Sequence, residues 1–240
     1  NSNVTIETDE YFQSFILCDK TKLKISGKKG NDFPKLPEVS KNKPIIISQF
    51  TLKDIITKTI FSISDNENNK LMTGELFEIN NNKLRICSLD GHRISIRNVE
   101  LKENYDKVKV IIPGKTLNDI SKILPGGTED EVQIYVTNNH ILFEFDNTKV
   151  VSRLIEGEYF NIDQMLTSDY DSKVTINKRE LLNCIDRSSL FVKESDKKPI
   201  LVEVNGNNME LRIDSTVGSM RENIDIEKEV FIHGALCNSY

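Results

Sequence analysis

An internal repeat constrains this chain more than any other feature of its sequence. Residues 47–55 (ISQFTLKDI) recur 65 residues later at 112–120 (IPGKTLNDI), and a weaker third copy (INKRELLNC) follows 64 residues further on, at 176–184. Repetition at a fixed period indicates that one supersecondary unit has been used several times. We therefore expect a series of similar units that contact each other in similar ways.

Every copy predicts the same succession of elements. A short β-branched run predicts a strand in each copy, at 45–47, 110–112 and 174–176. Apolar residues at helical spacing then predict helices at 51–63, 115–124 and 178–193. Asparagine-rich runs, whose residues tolerate positive φ, predict hairpin turns within 78–84, 135–141 and 203–209.

A longer period of 127 residues defines the domains. The run DKTK at 19–22 recurs as DNTK at 146–149, and the pair Gly30 and Phe33 recurs as Gly157 and Phe160. Two repeat units therefore form one domain, and helices packed on antiparallel strands predict an α+β fold. Similar domains in series form a curved array, which closes into a ring if the rotation allows it. The predicted divisions are the end of one domain, a complete domain and the beginning of another, at 1–43, 44–166 and 167–240.

Composition restricts the remaining possibilities. The net charge is −5, no run approaches the roughly 18 apolar residues of a membrane span, and the N-terminus lacks a signal-peptide pattern. The lack of an initiating Met suggests that Asn1 is not the native start. We therefore expect a protein of the cytoplasm that has no membrane partner.

The cysteines and histidines do not form a metal-binding pattern. Cys18, Cys87, Cys184 and Cys237 contain no closely spaced pair, and the first three lie in apolar runs, which predicts buried thiols. His140 and His233 are isolated. We expect neither a metal nor a cofactor.

Four further motifs occur in a fixed order, namely GNDFP at 30–34, TGELFE at 73–78, LDGHRI at 89–94 and SRLIEGEYF at 152–160. Together with the two-tier repeat, they resemble the beta subunit of bacterial DNA polymerase III, the sliding clamp, from Val4 to about Ile226. The resemblance implies the DNA-clamp fold, with three similar domains per chain, two chains in a homodimeric ring, helices lining the hole and sheets outside. The implied partners are double-stranded DNA, DNA polymerase III, other replication and repair proteins, and the clamp loader.

Some parts of the family pattern have no counterpart in these 240 residues. Most of the first domain and the later part of the third are not matched, and residues 231–240 lack the Gly-Phe-Asn pattern expected there. We therefore expect this chain, by itself, not to retain circular DNA at moderate salt.

The charge distribution is consistent with DNA in the hole. The three predicted helices carry a net charge of +4, which leaves −9 on the rest of the chain. We expect the helices to share one concave face that contacts phosphates without reading bases. The alternative is that these lysines only solvate outer helix faces. The predicted DNA-facing residues are Lys53, Lys58, Lys70, Lys115, Lys122, Lys178, Arg179 and Arg187.

A docking groove for partner peptides is implied by the resemblance. Its apolar residues suit a site that accepts apolar peptide side chains, although each is equally compatible with an ordinary core position. In this sequence the implied pocket residues are Met72, Leu89, Gly91, His92, Arg93, Ile94, Phe160, Gln164 and Met165.

Three functional classes remain to be compared. The leading one is a DNA-encircling platform without catalysis, and the second is a protein-only scaffold with the same repeat. An enzyme ranks last, because no phosphate loop, nucleophile elbow or metal cluster is present. Asp90 and His92 would suit an acid–base pair, but no nucleophile motif accompanies them, and a strand-end turn that uses Gly91 explains the run better. The resemblance favours a third interpretation, in which the run is part of the docking-pocket rim and Arg93 contacts a peptide backbone or carboxylate.

Overall fold

The computed structural model describes residues 3–41, 43–166, 172–192 and 198–230. Two compact units are present, a first unit at Asn1–Phe160 and a second unit at Asn161–Tyr240. Helices and antiparallel strands alternate, which confirms the predicted α+β class. In chain order the elements are β1 (Thr5–Thr8), β2 (Gln13–Cys18), β3 (Thr21–Ser26), β4 (Ile45–Ser48), α1 (Gln49–Thr57), β5 (Gly74–Leu89), β6 (Ile94–Pro113), α2 (Gly114–Ile123), β7 (Glu131–Val136), β8 (His140–Phe145), β9 (Thr148–Arg153), α3 (Ile162–Met165), β10 (Ser172–Ile176), α4 (Lys178–Ser189), β11 (Leu201–Asn205), β12 (Asn208–Ser215) and β13 (Gly218–Val230).

The first unit contains antiparallel sheets of order β1-β2-β3 and β4-β7-β8-β9 and the long pair β5-β6. Its main core forms where α1 and α2 cover strands of the second sheet and of the long pair. Leu52 and Ile56 of α1, Leu117 and Ile120 of α2, and Phe143 of β8 are all fully buried. Burial of side chains of this size stabilises a fold by about 1.5–3 kcal/mol each.

The 127-residue repeat is reproduced in the structure. Strands β2 and β3 correspond residue for residue to β8 and β9 at that offset. The two connecting turns have the same geometry, because Asp19 and Asp146 both adopt φ of 49°. The division into domains at 44 and 167 remains a prediction.

Helix α1 is shorter at its C-terminal end than the apolar spacing predicted. It begins at Gln49, where the Ser48 side chain accepts a hydrogen bond from the backbone N–H of Thr51. The predicted continuation to residue 63 is wrong, because the Thr59 hydroxyl donates to the carbonyl oxygen of Ile55 at 2.8 Å and a 3-10 turn follows at Ile60–Ser62. The spacing misled because Ile60 still packs against the core beyond the helix.

The first asparagine-rich run is not a hairpin turn. Residues 78–84 lie within β5, and the pairing with β6 is irregular there, between Ile79 and Lys83. Asn81 adopts φ of 53°, so the asparagine bends a continuous strand and does not reverse it. The other two predicted turns are confirmed, between β7 and β8 and between β11 and β12.

The second unit has an antiparallel sheet of order β10-β13-β12-β11. Cys184 of α4 packs with Leu211 and Ile224 of the sheet in a small core. Helix α4 ends at Ser189, earlier than predicted, and the hydroxyl of Ser189 bonds the carbonyl oxygen of Asp186. Lys193, His233 and Cys237 lie outside the described residues.

The predicted thiols differ in burial. Cys87 and Cys184 are buried and Cys18 is only half-buried, and none of these three forms a disulfide. Within the described ranges, no helix combines the length and the apolar character needed to cross a bilayer. The same residues contain no group of three or more His, Cys, Asp and Glu placed to hold a metal ion.

Candidate functional site

Helices α1 and α2 of the first unit contact each other. The Nζ atom of Lys53 in α1 donates a hydrogen bond of 2.8 Å to the carbonyl oxygen of Leu124, directly after α2. These two repeat-related helices therefore lie side by side. That α4 shares a face with them remains a prediction.

Three of the predicted DNA-facing lysines are engaged by oxygen atoms of this chain. Besides the bond made by Lys53, Lys58 pairs with Asp54 at 2.6 Å and Lys122 pairs with Asp119 at 3.7 Å. The hydrogen bond from Lys58 is the largest cause that holds the pKa of Asp54 below its ordinary value. Exposed pairs of this kind are weak, but each must be broken or shared before the lysine contacts a phosphate.

Lys70 and Lys115 differ from the other three. Both are exposed, and neither forms an ion pair with any residue that the structure describes. They line one cavity of about 710 Å³, together with Arg93 and Asn118 and with the acidic side chains of Asp65 and Glu67. The two lysines therefore belong to the lining of the same cavity.

The N-terminal end of α2 opens into this cavity. Pro113 is the N-cap and provides no side-chain hydrogen bond, so the first N–H groups of the helix have no side-chain partner. A Cβ atom at Gly114 would lie 2.9 Å from the carbonyl oxygen of Thr73, so only glycine lets the helix begin this close to the cavity wall. The partial positive charge of a helix N-terminus favours anions.

The second unit carries the other predicted DNA-facing residues on α4. Lys178 and Arg179 are exposed in the first turn of the helix, where Asn177 caps the backbone N–H groups of Arg179 and Glu180. Arg187 forms an ion pair with Glu222, and this hydrogen bond is the largest cause that lowers the pKa of Glu222. Lys178 and Arg179 are therefore more available than Arg187 among the three predicted residues of this helix.

The predicted Asp90–Arg93 motif forms the tight turn between β5 and β6. Gly91 adopts φ of 90°, and the Asp90 carboxylate accepts hydrogen bonds from the backbone N–H groups of His92 and Arg93, at 3.0 and 3.1 Å. Arg93 also donates from Nε to Asp90 at 2.9 Å, and its guanidinium lies 5.7 Å from the centre of the Phe61 ring. The hydrogen bond from the His92 backbone is the largest cause that lowers the pKa of Asp90. Asp90 therefore stabilises the turn and orients Arg93, and the observed bond to His92 is to its backbone.

Tyr159 links the segments that contain several predicted pocket residues. Its hydroxyl donates to the carbonyl oxygen of Gly74 at 3.3 Å, and the backbone of Leu89 partly offsets the rise in the pKa of that hydroxyl. Its ring contacts Phe160 edge to face, with 5.7 Å between ring centres. The start of β5 is thereby held beside Tyr159, whose ring contacts Phe160.

Burial separates the predicted pocket residues into groups. Leu89 is only 2% exposed, so it can support a binding surface from the core but cannot contact a peptide directly. Met72, Ile94 and Phe160 are half-buried, and the turn residues Gly91, His92 and Arg93 are exposed. Gln164 and Met165 are exposed on α3 of the second unit.

Sequence reasoning did not identify Tyr159 as part of this site. A signal was present, because a tyrosine beside Phe160 in a predicted pocket motif combines an apolar ring with a hydroxyl that needs a partner when buried. Tyr159, which contacts Phe160 and bonds Gly74, adds a buried support beside the predicted pocket residues. That Met72, Ile94 and Phe160 form one surface, with the Asp90–Arg93 turn at its edge, remains a prediction. We call this predicted surface the docking wall.

Comparison with known proteins gives a consistent result. Residues 46–161 match the family model described as DNA polymerase III beta subunit, central domain. The chain is 32% identical to the beta sliding clamp of Staphylococcus epidermidis, over 92% of this chain and 59% of that protein. The clamp of Staphylococcus aureus is also 32% identical, with 93% and 59% covered.

Two solved structures agree with these relatives. A putative DNA polymerase III beta subunit from Eubacterium rectale is 65% identical, with a TM-score of 0.88, over 95% of this chain and 62% of that one. The sliding clamp of Bacillus subtilis is 28% identical, with a TM-score of 0.85, over 95% and 61%. The clamp fold expected from the resemblance is confirmed, and the chain spans about three fifths of the length of these relatives.

Proposed function

Because this chain belongs to the DNA polymerase III beta subunit family, the bacterial sliding clamps, we propose that it works as a processivity factor of the replicative polymerase. In this proposal it contacts duplex DNA without reading sequence, and it docks polymerase III, repair proteins and the clamp loader through short peptides. It assembles as a homodimeric ring in the cytoplasm, and it catalyses no reaction.

The observation that carries the DNA contact is the cavity at the start of α2. Lys70 and Lys115 present two unpaired ammonium groups there, beside N–H groups that have no side-chain cap. Phosphate oxygens suit both kinds of donor, and neither kind distinguishes one base from another. Phosphate binding at this cavity therefore supports a sliding contact better than a sequence-specific one.

The test compares two double variants with equal charge change. Lys70→Ala with Lys115→Ala removes the unpaired lysines, whereas Lys58→Ala with Lys122→Ala removes lysines that are paired within the chain. Binding of a short linear duplex is measured by fluorescence anisotropy across a range of low salt concentrations. Each phosphate contact contributes about 0.9 to the slope of log affinity against log salt, so we expect the first variant to lose about 2 from that slope and the second to lose much less.

Two results would contradict the DNA proposal. Equal loss in the two double variants would mean that the cavity has no special role and that only net charge matters. Absence of salt-dependent binding by the parent chain would favour the protein-only scaffold with the same repeat.

The docking part of the proposal rests on the docking wall. Its half-buried apolar side chains stand beside an exposed arginine that Asp90 and Phe61 hold in place. A peptide that carries a glutamine followed by spaced aliphatic and aromatic residues fits such a surface, because buried apolar anchors account for most of the affinity of small interfaces.

A further inference from the structure

A buried carboxyl group lies near Tyr159, the support of the docking wall. Glu75, the second residue of β5, is 0% exposed, and neither carboxyl oxygen has a hydrogen bond of ordinary geometry to the described residues. Thr59 is its polar neighbour, but the Thr59 hydroxyl donates its proton to the carbonyl oxygen of Ile55 at 2.8 Å. The Thr59 hydroxyl proton is therefore already engaged, and it does not satisfy the carboxyl of Glu75.

The surroundings of Glu75 disfavour its charged form. Burial is the main cause that raises the pKa of Glu75 to about 8, and the contact with Thr59 lowers it only in part. Among the residues that the structure describes, no charged side chain is a cause of this raised pKa, and β6 places the apolar Ile112 opposite Glu75. A carboxylate here would have to draw in water or move towards solvent.

Tyr159 connects this group to the wall. Gly74, the neighbour of Glu75, provides the carbonyl oxygen that Tyr159 bonds. Burial is the largest cause that raises the pKa of the Tyr159 hydroxyl, and the charges of Cys87 and Glu75 add to it. The ionisable groups that interact with Tyr159 are thus Glu75 and Cys87, and both disfavour negative charge on its hydroxyl.

We propose that the neutral Glu75 carboxyl is a proton-controlled support of the docking wall, and that its ionisation opens the Tyr159–Gly74 contact. The effect on peptide binding rests on the proposed docking function, whereas the structural change does not. At pH 9, about one tenth of the molecules keep the proton on a group whose pKa is about 8. If only those molecules present an intact wall, the affinity for a docking peptide falls about tenfold between pH 7 and pH 9.

Hydrogen–deuterium exchange tests the structural change without any partner. The exchange of peptides covering residues 70–76 and 154–161 is measured at pH 6.5 to 9 and corrected for the chemical exchange rate. We expect protection to fall through pH 8 in the parent chain and to stay constant in Glu75→Met and Glu75→Gln. Tyr159→Phe, which lacks the hydroxyl, should already show reduced protection at pH 7.

A matched control and a binding measurement complete the test. Glu78→Gln alters a glutamate of the same strand that faces Lys109 at 3.4 Å, and it should keep the pH dependence of the parent. The peptide, fluorescein-labelled and of the glutamine-containing type described above, is titrated at the same pH values. The switch is overturned if protection falls equally in the parent and in both Glu75 variants.

The two proposals fail in different ways. An affinity that stays constant while protection falls overturns the link from the switch to docking. If the peptide binds at no pH, the docking function is overturned, and the exchange measurement alone decides whether Glu75 controls Tyr159.

Discussion

Replacement of Glu75 by methionine should change the pH dependence of stability in a specific direction. Methionine has a similar length, no proton to lose and no need of a hydrogen-bond partner, so it suits a fully buried position. The parent chain, in contrast, must keep a proton on Glu75 in the folded state while the unfolded chain releases it. We therefore expect the parent to lose stability relative to the variant as the pH rises.

The magnitude follows from the two pKa values. The pKa of Glu75 rises from 4.5 to about 8 on folding, which corresponds to about 5 kcal/mol in total. Since the folded pKa is the higher one, the stabilising contribution is complete below pH 4.5 and is lost as the pH rises to 8. The free energy of unfolding should fall by about 1.4 kcal/mol per pH unit in that window, or by about 3 kcal/mol at pH 7.

The assay must report on the unfolding of the first unit alone, within the complete chain. Urea unfolding is followed at each pH by a brief hydrogen–deuterium pulse that is read in peptides from β5. The difference in free energy between Glu75→Met and the parent is then plotted from pH 5 to pH 9, where any constant packing difference cancels. A difference that does not change between pH 5 and pH 8 would refute the reasoning, and Glu78→Gln should give a much smaller slope, because its carboxylate is partly solvated.

Three further predictions concern local features. Ser48→Ala should lower the free energy of unfolding by about 1 kcal/mol, because it removes the side-chain cap of α1. An unchanged free energy of unfolding in a urea titration would contradict this prediction. Gly91→Ala should lower the free energy of unfolding by about 1–2 kcal/mol, because φ of 90° is strained for residues with a Cβ, and it should also weaken peptide binding. Unchanged stability together with unchanged peptide affinity would contradict this prediction. Met165→Glu should weaken binding of the fluorescent docking peptide at least tenfold if the predicted role of Met165 is correct, since a charge would replace its exposed apolar side chain. Equal affinity would exclude this residue from the predicted pocket.

The repeat made most of the fold predictable from the sequence. Strands and helices at equivalent positions were confirmed because periodic apolar residues determine which face is buried, and Leu117 and Ile120 show this in α2. Errors arose where side chains compete with the backbone. The Thr59 hydroxyl ended α1 early, and Asn81 used positive φ to bend a strand, although the same residue type predicts a turn.

The candidate site was less predictable. Positive residues could be found in the sequence, but which lysines are paired depends on tertiary neighbours, as for Lys53 and the carbonyl oxygen of Leu124. Glu75 was not recognised, because an alternating strand pattern gives no sign that a glutamate next to Gly74 will be fully buried. Tyr159 was missed for a similar reason, since its hydrogen bond joins residues 85 positions apart.

The two proposed contacts of this protein should respond differently to salt. A sliding contact needs weak phosphate binding, and pairing of Lys58 and Lys122 within the chain limits the number of cations that compete for phosphates. Phosphate contacts fade as salt rises, because each one releases a condensed counterion. Docking through Met72 and Phe160 depends on apolar burial, which moderate salt does not weaken. Raising the salt concentration should therefore remove linear DNA while a docking peptide stays bound, and simultaneous loss of both ligands would mean that the two contacts share one charged surface.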